Sequence, residues 1–192
     1  MKQLFLLLTA ITLGFAFNPP EGEKSTKKVN IKESQVTWKG YKITGSHEGT
    51  LDLKEGNLEF SDGLLSGGTF VVDMTSLQVT DLKGGGAEKL KGHLMSPDFF
   101  GVEAFPTATL TITNVVSRGL PGDYKVFANL TIKKTTKPIK FEALIKDNTA
   151  TAAIKVDRSE FDVRYGSATL LGNLGDNTIY DEFDLNISLV IN

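Results

Sequence analysis

Cysteine is absent from this 192-residue chain, which removes disulfides, thiolate metal sites, cysteine nucleophiles and lipoprotein acylation at one stroke. Histidine is scarce: His47 and His93 are the only two, with neither HxH nor HxxxH spacing, so no metal site is written into the local sequence. Ser46, Ser66 and Ser159 lie in no GxSxG elbow, and no Gly-Lys-Ser/Thr follows Gly84-Gly85-Gly86. No catalytic residue, metal or cofactor is assigned, and the chain is not read as an enzyme. A charge excess is missing too: 21 basic residues face 23 acidic ones, for a net charge of −2. Without a polybasic patch no nucleic-acid partner is expected. The apolar run from Leu4 to Phe15 falls short of the roughly 20 residues that span a bilayer.

What is present begins with that run. Lys2 precedes it, and Gly14 and Ala16 supply small residues at its end, the layout of a secretory signal peptide over residues 1–16, with a retained anchor as the weaker alternative. The expected location is the periplasm or the medium. Residues 17–28, polar and containing Pro19-Pro20, read as a flexible leader. Residues 29–192 read as one domain, large enough to bury about 70% of the surface its unfolded chain exposes.

Within that domain strand patterning dominates. Val36 and Trp38, Leu51 and Leu53, Leu58 and Phe60, and Phe70 and Val72 alternate with polar neighbours, with a turn expected at Gly56-Asn57. Leu110 and Ile112 follow, then Val126, Ala128, Leu130 and Ile132 after a Pro121-Gly122-Asp123 turn. A turn at Lys137-Pro138 is expected before Ile139, Phe141, Ala143 and Ile145, and one at Asp147-Asn148 before Ala150, Ala152 and Ile154. The chain closes on Phe183, Leu185, Ile187, Leu189 and Ile191. Helix is expected over Ala87–Met95 and at Met74–Leu77. About eight antiparallel strands joined by short turns make the fold all-β, and the pattern alone admits an up-and-down barrel or a sandwich. Alanines interrupting rows of larger apolar residues fit either a cavity or the taper of a filled barrel.

Four ordered segments carry a family resemblance: VTWKGYKITGSHEGTL (Val36–Leu51), GGTFVVDMTSL (Gly67–Leu77), KLKGHLMSPDFFGVEAFPTATLTIT (Lys89–Thr113) and DRSEFDVRYGS (Asp157–Ser167). The chain is similar to the YceI-like proteins. The resemblance implies a single eight-stranded lipocalin-like barrel, with one or two short helices, that holds a polyisoprenoid of the quinone or polyprenyl phosphate type. It tips the choice toward a barrel with an open lumen, and the Phe99-Phe100 corner would plug or line one end.

The lining expected for such a lumen is Trp38, Phe70, Val72, Ile112, Val126, Ala128, Phe141, Ile154, Phe183 and Leu185. His47, between Gly45 and Gly49, matches an early histidine of the family and is a head-group candidate at the barrel mouth. Arg158 is a second candidate, against the alternative that Asp157–Asp162 is a solvated turn capped by Asp157. His93 also matches a family position and is read as a capping or packing residue. Gly101 departs from the family, where many relatives carry Asp. Rival readings are a lipid-modifying enzyme acting at the mouth and a filled-core envelope interaction module. Transient membrane contact fits the expected ligand, and an open seam or edge strand would permit a homodimer.

Overall fold

In the strand Asp123–Ile132 every second residue is buried, namely Tyr124, Val126, Ala128, Leu130 and Ile132, with no break in the alternation. A sheet whose strands each present one such face must cover it, and this one does so by closing on itself. The computed structural model describes residues 22–172, 175 and 178–192. Its strands are β1 (Lys24–Lys28), β2 (Gln35–Lys42), β3 (Gly45–Ser61), β4 (Leu64–Val79), β5 (Thr107–Ser117), β6 (Asp123–Ile132), β7 (Thr135–Lys146), β8 (Thr149–Asp157) and β9 (Ile179–Val190). Helix α1 spans Gly85–Met95, a 3₁₀ turn spans Arg158–Phe161 and helix α2 spans Ala168–Leu171.

Antiparallel pairing runs in the order β3-β2-β9-β8-β7-β6-β5-β4, and a further β3–β4 pairing closes the ring into an eight-stranded barrel. The ninth strand adds no stave. β1 and β2 lie end to end along one edge of β3, pairing with Asn57–Ser61 and Gly45–Leu51 respectively. Lys24–Lys28, expected to be a flexible leader, is therefore structured, because the long β3 presents an edge that β2 alone does not cover. Beyond it the Val29 N–H donates to Gly56 O at 2.9 Å and the Asn30 N–H to Val190 O at 2.8 Å, tying the segment to the chain end. Residues 1–16, read as a signal peptide, lie outside the described residues.

Three local expectations are corrected. The turn expected at Gly56-Asn57 is a bulge inside β3: Leu51 and Leu53 point inward, as do Leu58 and Phe60, and the switch of parity is absorbed where the β3–β4 register shifts between Leu53 and Glu55. The turn itself comes at Asp62-Gly63, both left-handed, at φ 52° and 76°, as a two-residue hairpin requires. Met74–Leu77 is strand, not helix. The register jumps there, the Ser76 hydroxyl donates to Asp73 O at 2.6 Å, and the Thr75 N–H donates to the Asp73 carboxylate at 2.9 Å.

The turn expected at Lys137-Pro138 falls instead at Lys133-Lys134, with Lys133 at φ 54°. Pro138 sits within β7 opposite Asn129. It is tolerated because β7 pairs with β8 only from Glu142 to Lys146, leaving its first half without a ladder partner on that side. The turns at Gly122 and Asp147 fall where the sequence places them.

Candidate functional site: an apolar lumen with a polar rim

The barrel interior is not filled. Two chambers of about 100 Å³ and 110 Å³ lie along it, meeting at a waist of Val36, Val72, Ala108, Leu130 and Leu185, which line both. The far chamber is walled by residues such as Phe70, Ile112, Val126, Phe141 and Ile154. The near chamber, at the α1 end, is walled by Trp38, Met74, Leu94, Phe99, Phe100 and Phe183 among others. Small residues make the space: Ala143 and Ala152 pair directly across β7 and β8 and both line the far chamber, with Ala150 beside them. Inward residues of β7 and β9, including Ile139, Phe141, Phe183 and Leu185, are consequently only half-buried although they face inward.

Of the ten residues expected to line a cavity, Phe70, Ile112, Val126, Phe141 and Ile154 line the far chamber, Trp38 and Phe183 the near one, and Val72 and Leu185 both. Ala128 does not. It is 1% exposed and faces inward, held between Ile112 on β5 and Ile139 on β7, but its methyl group reaches neither chamber. The lining also takes in Leu94 on α1 and the Phe99-Phe100 corner. Phe99 and Phe100 meet edge to face at 5.0 Å, and Phe100 meets Phe183 at 6.5 Å, so the corner closes the end of the lumen with aromatic rings. Gly101 ends that corner in a left-handed conformation, φ 59°, its N–H donating to Ser96 O at 2.8 Å. The residue that departs from the family's Asp is thus one whose backbone suits glycine.

His47 lies outside the lumen, on β3 opposite Gly40 of β2. Its Nδ1 stands 2.8 Å from Asp81 Oδ2, and Asp81 Oδ1 accepts the Glu48 N–H at 3.2 Å. Burial alone pushes the Asp81 carboxyl up, but the hydrogen bonds from His47 and Glu48 outweigh it and hold the carboxyl below its usual range. With Tyr41, Lys42, Lys89, His93 and Tyr165, His47 lines a groove on the rim. That groove shares Trp38, Gly40, Leu94, Phe99 and Ile179 with the near chamber, so a single layer of side chains separates rim from lumen.

The turn keeps Asp157, Glu160 and Asp162 exposed and is capped as expected, the Asp157 carboxylate accepting the Ser159 N–H at 2.9 Å, but Arg158 itself is 2% exposed. Its guanidinium donates to Tyr180 O at 3.1 Å, Val163 O at 2.6 Å and Ile179 O at 3.0 Å, and faces Asp181 Oδ1 at 3.3 Å. It lines the near chamber and lies 5.4 Å from the centre of the Phe99 ring. With its donors committed to main-chain carbonyls, Arg158 anchors the start of β9 to the 3₁₀ turn. His93 packs against Tyr165 and Phe99 at 4.3 and 5.6 Å, its Nε2 buried without a hydrogen-bond partner. Among the described residues no group of three or more His, Asp or Glu side chains is placed to hold a metal.

The family model for the YceI-like domain matches residues 27–191. The chain belongs to the YceI-like family. A curated relative, the UPF0312 protein ECA1782 of Pectobacterium atrosepticum, is 29% identical over 153 residues, 74% of this chain and 72% of its own. Among solved structures, Burkholderia cenocepacia BcnA superposes with a TM-score of 0.63 at 19% identity, over 84% of this chain and 98% of its own. A polyisoprenoid binding domain from Saccharophagus degradans, implicated in plant cell wall breakdown, gives 0.59 at 14% identity, over 86% and 97%. The YCEI protein of Campylobacter jejuni gives 0.53 at 19% identity, over 100% and 98%. At these identities the solved structures establish the YceI-like barrel.

Proposed function

We propose that the protein is an exported carrier that holds the tail of a long isoprenoid lipid in its lumen and does not transform it. The observation that carries this reading is a pair of chambers placed end to end along the barrel with a waist of five residues in common, walled almost throughout by apolar side chains. Each buried CH₂ contributes about 0.8 kcal/mol, while association costs on the order of 4 to 15 kcal/mol. A tail of roughly ten carbons or more is therefore needed before burial alone wins. A charge-assisted hydrogen bond to a head group adds only about 1.5 to 3 kcal/mol, so the tail sets affinity. The family and the polyisoprenoid binding domain among the similar structures support the ligand class. Export is supported by Lys2 and the apolar run of residues 4–15.

The free space constrains how such a tail fits. A cavity of about 150 Å³ takes a molecule the size of benzene, so chambers of about 100 and 110 Å³ accept a long chain only when the waist parts. Of the waist residues Val72 and Leu185 are only half-buried, and theirs are the side chains that would have to shift. Mass spectrometry of an organic extract of protein purified from the exported fraction tests the reading. Expected are a long-chain isoprenoid in near-stoichiometric amount and an intact protein mass lacking residues 1–16. Protein free of such lipid, or one that releases a chemically altered isoprenoid, overturns it.

A further inference from the structure

Four exposed apolar side chains gather around one residue at the rim. Ile43, at the tip of the β2–β3 hairpin, donates its N–H to Thr178 O, and its neighbour Lys42 pairs with Ile179. Gly166, next to Tyr165, accepts the Ile179 N–H at 2.8 Å. Ser167 bridges Ile179, and its hydroxyl accepts the Leu170 N–H at 3.3 Å. Tyr180 follows Ile179 directly. Ile43, Tyr165, Leu170 and Tyr180 are 45 to 53% exposed, a cost that a domain able to bury them elsewhere would not carry at one spot.

This cluster frames the near chamber, which Ile179 and Tyr180 line, and the rim groove, which Tyr165 and Ile179 line. The groove also presents Lys42 and Lys89, neither in an ion pair among the described residues. The nearby carboxylates are spoken for: Asp81 by His47, Asp181 by Arg158 and Ser167, Asp184 by Tyr41 and Lys155. Aliphatic side chains on a hairpin tip and on α2, two tyrosines with an apolar body and a polar end, and lysines outside any ion pair among the described residues match the boundary between lipid head groups and acyl chains.

We propose that this end of the barrel docks on a phospholipid bilayer bearing anionic lipid, so that an apolar tail passes between membrane and lumen without crossing water. Ile43, Leu170 and the two tyrosines settle among the head groups, and Lys42 and Lys89 meet the anionic ones. The inference rests on the carrier reading, because only an apolar ligand makes the route through water slow.

Trp38, the chain's one tryptophan, lines the near chamber and reports on its contents. The protein is loaded from detergent with a brominated long-chain alcohol, which quenches Trp38, and mixed with vesicles of phosphatidylcholine with or without phosphatidylglycerol. Expected is a recovery rate that rises in proportion to vesicle concentration and is faster with phosphatidylglycerol. The double variant Ile43→Asp/Leu170→Asp should slow recovery by roughly tenfold, with loading unchanged. Lys42→Glu/Lys89→Glu should abolish the preference for phosphatidylglycerol. Leu120→Asp, at a still more exposed apolar side chain in the β5–β6 turn at the opposite end, should transfer as the unaltered protein does. A rate independent of vesicle concentration, in protein that loads normally, overturns the docking surface and leaves the carrier reading standing. Failure of the alcohol to quench Trp38 at all overturns both.

Discussion

The 3₁₀ turn after β8 and the wall formed by β7 and β9 both face the interior, yet one is packed shut and the other is not. Arg158, Phe161 and Val163 are 2%, 1% and 0% exposed, whereas Ile139, Phe141, Phe183 and Leu185 on the wall stay half-buried against empty space. The turn is held by directional bonds from one guanidinium to three carbonyls. The wall's backbone is held by its ladders, but its inward side chains pack through apolar area alone, which sets no unique packing. Such a division lets one end of the barrel stay fixed while the lumen adapts to its contents.

Removing the directional bonds should have the largest effect. Arg158→Ala leaves the carbonyls of Val163, Ile179 and Tyr180 unpaired and Asp181, already lacking a hydrogen bond at Oδ1, without its counter-charge. The expected loss is about 3 to 5 kcal/mol in chemical denaturation. Arg158→Lys should recover less than half of it, because a single ammonium does not span three carbonyls. A loss below about 1 kcal/mol would mean the turn is held by Phe161 and Val163, and the contrast with the wall would vanish.

That contrast was only partly legible beforehand. β6 reads correctly because its alternation is unbroken from Tyr124 to Ile132. β3 does not: a parity switch between Leu53 and Leu58 is written the same way for a turn as for a bulge, and only the pairing with β4 decides. Pro138 looked like a turn because a proline inside a strand needs an unpaired neighbour, a property of the partner strand. The lumen residues were readable as faces, but not which alanines border space, since Ala128 and Ala152 look alike in sequence. Arg158 was readable as a charge beside an aromatic. Its burial was not, because the carbonyls that satisfy it belong mostly to β9, 21 and 22 residues further on.

The two alanines sharpen the comparison at an intermediate scale. Ala152 is half-buried and lines the far chamber; Ala128 is 1% exposed and lines neither. Ala152→Leu should fill existing space, lowering lipid occupancy severalfold at a stability cost below about 1 kcal/mol. Ala128→Leu should instead overpack the layer between Ile112 and Ile139 and cost about 1 to 3 kcal/mol. Denaturation midpoints and lipid content of the two variants check this. Equal costs would show the lumen to be as tightly packed as the β6 face.

The smallest expected effect lies on the outer surface, where the wall carries its own directional bond. The Tyr41 hydroxyl donates to Asp184 Oδ2 at 2.6 Å, joining β2 to β9, and Lys155 reaches the other oxygen at 3.0 Å. The hydrogen bond from Tyr41 is the main cause that holds the Asp184 carboxyl below its usual value, with burial opposing and Lys155 adding to it. A carboxyl depressed in the folded state binds its proton less readily than in the unfolded chain. Its contribution is therefore complete above the unfolded value of about 3.9 and is lost as pH falls through the lower folded value. Tyr41→Phe should raise the folded value toward the unfolded one, so that the variant is slightly less stable near neutral pH. The gap to the unaltered protein should then narrow as pH drops below about 4. Denaturant titrations across that range decide it. A gap that stays constant down to the acid limit would assign the bond's contribution to packing between β2 and β9 and not to the charge on Asp184.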